Sequence, residues 1–161
     1  MKLLILNGPN LNLLGTREPD IYGRASYDDL CKLISQHAAA LGCEAEVLQS
    51  NHEGALIDAI QGAQGVYGGI VINPGAYAHY SYAIYDALRA VDVPAVEVHL
   101  TDITAREPFR AVSVTAAACV KTICGHGMQG YTEAMDYLKA NAPERGEKKP
   151  PLAGCVGAPI V

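Results

Sequence analysis

Short apolar runs that end abruptly in polar or turn residues constrain this chain more than any other feature of its sequence. Such runs occupy residues 3–6, 45–48, 69–72 and 95–98, and a fifth candidate lies at 118–123. Runs of this length without alternation are typical of strands that are buried on both faces, as in a parallel sheet.

Segments with helical patterns separate the apolar runs. The sequence predicts helices over residues 26–41, 53–64, 80–91 and 131–141, with Ser26 as an N-cap and Gly42 as a stop signal for the first. Strand and helix therefore alternate, which predicts right-handed β-α-β units and an α/β fold. The pattern resembles a flavodoxin-like, five-stranded parallel sheet with helices on both faces, whose ligand lies beyond the carboxyl ends of the strands.

The length and charge of the chain indicate its number of domains and exclude some classes of partner. With 161 residues, we expect a single catalytic α/β domain over residues 1–142 and an irregular tail over residues 143–161. The 17 acidic and 12 basic residues give a net charge of −5, which argues against nucleic acid or an anionic membrane as a partner. No apolar run approaches the roughly 20 residues that cross a bilayer.

The cysteines favour a reducing compartment. There are five, without repeating spacing, and no secretory leader precedes the first strand, so we expect a cytoplasmic protein. Cys119, Cys124 and His126 lack the spacing of a zinc site, and buried free cysteines are common. We therefore expect no metal.

The segment between the first strand and the first helix, residues 7–25, is longer than an ordinary connection and is expected to be functional. It contains neither a dinucleotide-binding nor a P-loop glycine pattern. Arg17 beside Tyr22 could stabilise a phenolate and so create a base. The alternative is that Arg17 pairs with Glu18 or Asp20 and that Tyr22 covers an apolar edge.

Histidines follow the third and fourth strands. Because side chains alternate along a strand, Glu97 and His99 should project to the same face, where a carboxylate supports a protonated imidazole. His99 is thus a candidate general acid, and a buried polar pair with only a structural role is the alternative. His79 could donate to a ligand hydroxyl or could cap a helix. Residues 51–54 form another polar cluster, but it does not match the H-E-x-x-H pattern of a metal site.

Five motifs together resemble those of the type II 3-dehydroquinate dehydratase family. They are NGPNLNLLGTREP at residues 7–19 with Tyr22-Gly23, QSNHEG at 49–54, NPGAY at 73–77, EVH at 97–99 and AREPFR at 105–110. Their order and spacing across residues 3–141 make the resemblance specific. It implies a flavodoxin-like fold, no cofactor, a dodecamer built from trimers, and conversion of 3-dehydroquinate to 3-dehydroshikimate in the shikimate or quinate pathway.

The resemblance also implies roles for individual residues. Tyr22 matches the base that removes a proton beside the ketone, and Arg17 matches the residue that keeps this tyrosine reactive. Asn10 matches a residue that stabilises the enolate through water. His99, oriented by Glu97, matches the acid that protonates the departing hydroxyl. The positions that match substrate-binding groups are Asn73, His79, Leu100, Thr101, Arg110 and, from a neighbouring subunit, Asp86.

The chain departs from the family pattern at several positions around these motifs. Ala78 and Tyr80 flank His79 where threonines are common, and Tyr85 replaces an arginine before Asp86. Residues 111–113 replace a histidine-containing sequence, and Asp102 and Thr104 replace a common asparagine and histidine. These departures concern subunit contacts and the rim of the pocket.

Two other functions of flavodoxin-like proteins fit this sequence less well. A module that binds FMN or a mononucleotide needs a phosphate loop rich in glycine and hydroxyl groups, whereas Pro9, Asn10 and Leu11 follow the first strand. A receiver-type signalling domain needs acidic residues where Asn7 stands.

Overall fold

The computed structural model describes residues 1–16 and 25–141 and contains one five-stranded parallel sheet. The strands lie side by side in the order β2-β1-β3-β4-β5. Their bounds are Lys2–Asn7 (β1), Glu44–Gln49 (β2), Gly69–Asn73 (β3), Ala95–His99 (β4) and Lys121–Cys124 (β5). This strand order is that of flavodoxin-like folds, so the predicted fold class is confirmed.

Four helices cover the two faces of the sheet. They are Tyr27–Ala40 (α1), Glu53–Gly62 (α2), Tyr82–Ala90 (α3) and Gln129–Ala140 (α4). Leu3 and Ile5 of β1 pack in one core cluster with α1 and α4, whereas Leu4 and Leu6 pack in a second cluster with α2 and α3. The continuous apolar run of β1 follows from this arrangement, because successive side chains enter different cores. β2 is not buried on both faces as predicted, because it lies at the edge of the sheet and its residues alternate between exposed and half-buried.

Local sequence signals define the start and end of α1. The Ser26 side chain accepts from the backbone amide of Asp29, and the Asp29 side chain accepts from the amide of Ser26. This reciprocal capping box confirms the predicted N-cap. Gly42 follows the helix with φ 62°, a left-handed conformation that glycine adopts without strain.

Other predicted boundaries need correction. The third helix begins at Tyr82 rather than at residue 80, because the Ser81 hydroxyl caps it by accepting from the amide of Ile84. The predicted fifth strand, residues 118–123, begins too early. Thr115–Ala118 form a 3-10 helix, and Ala118 and Cys119 pack in the core cluster with α2 and α3, so their apolar character reflects this packing rather than strand pairing. The last helix begins at Gln129 rather than at residue 131.

The segment predicted to be an irregular tail, residues 143–161, lies outside the described residues, so the boundary at residue 142 stays a prediction. Within residues 1–16 and 25–141, no helix is both long enough and apolar enough to cross a membrane.

The loops that follow β1 and β3 touch through their backbones. The Gly8 amide donates to the carbonyl of Asn73 over 2.8 Å, and a Cβ added to Gly8 would collide with the carbonyl oxygen of Pro74. Gly75 has φ 59° and lies close to Pro9, because a Cβ there would be 3.1 Å from the Pro9 carbonyl oxygen. Only glycine allows this approach, which brings the polar ends of β1 and β3 together.

Substitution of Gly8 tests this contact. We expect Gly8→Ala to lower the free energy of unfolding by about 1–3 kcal/mol, because the new methyl group displaces the backbone of Pro74. Gly54→Ala is the matched control. Gly54 lies in α2, and a Cβ added there would have no atom within 4 Å, so alanine should raise the free energy of unfolding by about 0.5–1 kcal/mol. Urea unfolding measures both, and equal stability of the two variants would contradict the role assigned to Gly8.

Candidate active site

A cleft lies at the carboxyl edge of the sheet, bounded by the loops that follow β1, β3 and β4. Seven residues predicted from the sequence to act in the site line this cleft: Asn10, Asn73, His79, His99, Leu100, Thr101 and Arg110. The cleft therefore joins residues that are up to 100 positions apart in the chain.

A histidine–carboxylate pair lies at the end of β4. Nε2 of His99 is 2.7 Å from Oε1 of Glu97, and only 6% of His99 and none of Glu97 is exposed. The two residues are separated by one position in the strand, so both side chains project to the same face. His99 lines the cleft, whereas Glu97 does not line it and contacts the His99 ring.

Two hydroxyl groups donate hydrogen bonds to the Glu97 carboxylate. Ser113 Oγ donates to Oε1 over 2.5 Å, and Thr115 Oγ1 donates to Oε2 over 2.5 Å. Sequence reasoning missed both residues. The signal that could have found them is the apolar strand around Glu97, because a carboxylate buried there needs hydrogen-bond donors from elsewhere in the chain.

His79 lies beside His99 in the cleft. The two rings stack with centroids 6.5 Å apart and an angle of 19° between their planes. Nδ1 of His79 is 2.9 Å from the carbonyl oxygen of Val112, which can only accept, so Nδ1 donates. His79 is the last residue of a 3-10 helix, Gly75–His79, and not a cap of α3.

Two asparagines end neighbouring strands. Asn7 and Asn73 are paired in the register of β1 and β3, and both are buried. The Tyr131 hydroxyl donates to Oδ1 of Asn7 over 2.6 Å, and Oδ1 of Asn73 accepts from the amide of Gly75 over 3.2 Å. Burial raises the pKa of Tyr131, which keeps its hydroxyl protonated as a donor.

Tyr27 approaches the same group of residues from α1. Its hydroxyl oxygen lies 3.4 Å from Nδ2 of Asn7. Desolvation raises the pKa of Tyr27 to about 12, so this tyrosine is protonated at neutral pH and is a poor base.

The loop that carries Asn10 is tied to the end of β2. Asn10 adopts φ 68°, and its amide donates to Oδ1 of Asn51 over 3.0 Å. The same oxygen accepts from Nε2 of Gln49 over 3.0 Å, and the Tyr77 hydroxyl donates to the Asn51 carbonyl over 2.8 Å. Asn51 thus holds the loop in place.

Two arginines give one wall of the cleft positive charge. Arg106 and Arg110 both line the cleft, and their Nε atoms lie 3.5 and 3.1 Å from Oε2 of Glu107. The backbone amide of Glu107, with Arg110 and Arg106 nearby, holds the pKa of the Glu107 carboxyl below its usual range. Sequence reasoning missed Arg106 as a site residue, although it stands within the AREPFR motif. Guanidinium groups in a cleft favour an anionic ligand.

The turn after β4 offers backbone donors to the cleft. In the described part of the chain, neither the amide of Leu100 nor that of Thr101 donates a hydrogen bond to another group. Both residues line the cleft. Adjacent amides without internal partners are suited to bind a carboxylate.

Arg17, Tyr22 and Asp86 are the other residues that the resemblance assigns to the site. Arg17 and Tyr22 lie outside the described residues. Asp86 is exposed on α3 and is not among the residues that line the cleft. Across residues 1–16 and 25–141, no three His, Cys, Asp or Glu side chains form a group that could hold a metal ion.

The fold and the cleft define a flavodoxin-like α/β protein with a histidine hydrogen-bonded to a buried carboxylate and a cleft wall that carries two arginines. The profile of the family described as Dehydroquinase class II matches residues 1–139. The chain therefore belongs to the class II dehydroquinase family, as the five motifs predict, and the FMN-binding and receiver alternatives are set aside.

Individual relatives and a solved structure agree with this assignment. The 3-dehydroquinate dehydratase of Clostridium acetobutylicum is 52% identical over 139 residues, which cover 86% of this chain and 96% of that protein. The protein of the same name from Caldicellulosiruptor bescii is 55% identical with the same coverage. The crystal structure of the type II dehydroquinase from Butyrivibrio crossotus superposes with a TM-score of 0.85 at 51% identity, covering 86% of this chain and 97% of that one.

Removal of the Asn51 side chain tests the tether of the Asn10 loop. We expect Asn51→Ala to accelerate hydrogen exchange of the Asn10 amide roughly five- to tenfold, because a net hydrogen bond contributes about 1 kcal/mol. Asn141→Ala is the control, since Nδ2 of Asn141 donates to the carbonyl of Tyr137 at the end of α4. NMR-detected exchange measures the effect, and an unchanged rate at Asn10 would show that the loop is held by other contacts.

Proposed function

We propose that this protein removes water from 3-dehydroquinate to form 3-dehydroshikimate through an enolate, in the shikimate or quinate pathway. The observation that carries the proposal is the buried Glu97–His99 pair at the wall of a cleft that also contains Asn10, Asn73 and Arg110. Membership of the class II dehydroquinase family supports the same reaction. The chain is accordingly a hydro-lyase.

Tyr22 acts as the base in this proposal. Its phenolate removes the proton from the carbon beside the ketone, and the electron pair of the C–H bond moves into the enolate. The Arg17 guanidinium stabilises the phenolate and so makes it available near neutral pH. Tyr27 and Tyr131 do not suit the role, because burial raises the pKa of each.

Stabilisation of the enolate is assigned to Asn10, acting through a water molecule. A proton beside a ketone is only weakly acidic, so the negative charge on the enolate oxygen must be stabilised as it forms. The tether from Asn51 to the Asn10 amide supports this role by fixing the loop before substrate arrives.

His99 acts as the acid. The enolate electrons form the new carbon–carbon double bond, the C–O bond breaks with its electron pair on oxygen, and His99 supplies the proton that converts the departing hydroxyl to water. Glu97 orients the ring and compensates its positive charge.

The other cleft residues bind and orient the substrate. The amides of Leu100 and Thr101 receive the substrate carboxylate, while Asn73, His79 and Arg110 bind its oxygen atoms. Asp86 contributes from a neighbouring subunit. No cofactor takes part in the proposed route.

We further propose a dodecamer built from trimers. Large apolar and aromatic side chains that are exposed on α3 and in the segments that follow β3 and β4 support burial by another subunit. The exposed side chains are Tyr80, Tyr82, Phe109 and Val112.

A cytoplasmic location completes the proposal. Cys31, Cys43 and Cys124 are free of disulfide bonds in the described part of the chain. Free cysteines are typical of proteins that function in a reducing compartment.

The activity is tested by adding 3-dehydroquinate and following the ultraviolet absorbance of the conjugated product. We expect wild-type protein to turn over and Tyr22→Phe to lose turnover by at least roughly 10²-fold, while substrate still binds, because the change deletes the base and little of the pocket. Tyr137→Phe is the matched control, since Tyr137 lies on α4 away from the cleft. A wild-type protein without turnover would refute the activity, and a Tyr22→Phe variant within a few-fold of wild type would refute the assigned base.

The assembly is tested by light scattering on active enzyme. We expect a closed homo-oligomer of twelve chains, and we expect Asp86→Ala to raise KM because the neighbour's site loses a contact. Asp58→Ala, on a different helix and exposed like Asp86, is the control. A fully active monomer would contradict the role of Asp86 between subunits.

A further inference from the structure

We propose that Ser113 and Thr115 are positioning residues that lock Glu97, and through it His99, so that Nδ1 of His99 is the atom that gives up the proton in the cleft. The inference rests on the proposed function, since that function makes His99 the acid. It adds two residues that no motif assigned and the identity of the reacting nitrogen.

The donor in each hydrogen bond to Glu97 follows from the chemistry of the carboxylate. An ionised carboxylate has no proton and can only accept. Oε1 is 2.5 Å from Ser113 Oγ and 2.7 Å from His99 Nε2, and Oε2 is 2.5 Å from Thr115 Oγ1. With Glu97 and Thr115 fully buried, no water competes for these positions. His99 therefore carries a hydrogen on Nε2.

The backbone orients the Ser113 hydroxyl toward Glu97. Ser113 Oγ accepts from the amide of Ala116 over 3.2 Å. Of the acceptors that its own proton can reach, Oε1 of Glu97 at 2.5 Å is much closer than the carbonyl oxygen of Ala78 at 3.4 Å. The segment is anchored by the Val114 amide, which donates to the carbonyl of Ala78 over 2.8 Å. The donors are thus held against the loop that carries His79.

The remaining nitrogen of His99 is left for the ligand. Within the described residues, Nδ1 of His99 has no hydrogen-bond partner. No side-chain nitrogen or oxygen in this part of the chain is buried without a partner, so Nδ1 must be exposed. Because His99 lines the cleft, Nδ1 is open to it. The ring of His79, itself held by the Val112 carbonyl, lies nearly parallel to the His99 ring with the centroids 6.5 Å apart.

The proton balance follows from this geometry. In the protonated ring both nitrogens carry hydrogen, and Nδ1–H points into the cleft. Nδ1 gives its proton to the departing hydroxyl, water leaves with the electron pair of the C–O bond, and the ring becomes neutral with its hydrogen on Nε2. Glu97 neither gains nor loses a proton in this step.

Nitrogen NMR of protein labelled with ¹⁵N-histidine tests the tautomer without requiring turnover. The chain has five histidines, and His99→Gln identifies the His99 signals by their loss. We expect neutral His99 to be the Nε2–H tautomer in the wild type. An Nδ1–H tautomer in the wild type would overturn the inference.

Variants of the two hydroxyl residues test their role in turnover. We expect Thr115→Val and Ser113→Ala each to lower kcat roughly 10-fold with KM changed less than about twofold, because a hydrogen bond to a charged group is lost while the cleft is unaltered. In both variants the His99 signals should show a mixture of tautomers. Thr115→Ser keeps the hydroxyl and should restore both kcat and the Nε2–H tautomer.

Thr132→Val is the matched control, because Thr132 is also buried but donates to Gln129 on α4. It should leave kcat and the His99 signals unchanged. If Thr115→Val fails to fold, Ser113→Ala and Thr115→Ser carry the test.

The outcomes separate this inference from the proposed function. Wild-type protein that does not act on 3-dehydroquinate refutes the function, whatever the tautomer. Active wild-type protein whose Ser113→Ala and Thr115→Val variants keep both kcat and a single tautomer refutes the positioning role. An equal loss of kcat in Thr132→Val would also refute the positioning role.

Discussion

A carboxylate buried completely at the end of a central strand is the constraint on which the active site depends. Glu97 is not exposed at all, and charge in such a place is tolerated only when it is paired and hydrogen-bonded. His99, Ser113 and Thr115 supply the hydrogen bonds. The chain after β4 must therefore fold back over the strand end, and this return path brings Arg106 and Arg110 to the wall of the cleft.

The opposite wall depends on backbone contact instead of charge. Gly8 lets the loop after β1 lie directly against the loop after β3, and Asn51 ties the Asn10 loop to the end of β2. Helices on both faces keep the strands themselves in place. The cleft thus has two walls that are fixed by different interactions.

The sequence predicts those features that depend on residues close to one another in the chain. Apolar runs and caps predict the strands and the start of α1, and the alternation of side chains brings Glu97 and His99 to one face. The contacts of Ser113 and Thr115 could not be read this way, because each reaches Glu97 across 16 or 18 residues of irregular chain. The start of β5 was missed for a related reason, since Ala118 is apolar through packing on helices rather than through strand pairing.

A crystal structure of the Tyr22→Phe variant with 3-dehydroquinate bound would test the central claim most directly. The substrate should lie between Asn73 and His99, with the hydroxyl that departs within hydrogen-bond distance of Nδ1 of His99 and with Nε2 still bound to Glu97. A substrate bound outside this cleft would contradict the account, and so would a His99 ring turned to present Nε2 to the substrate.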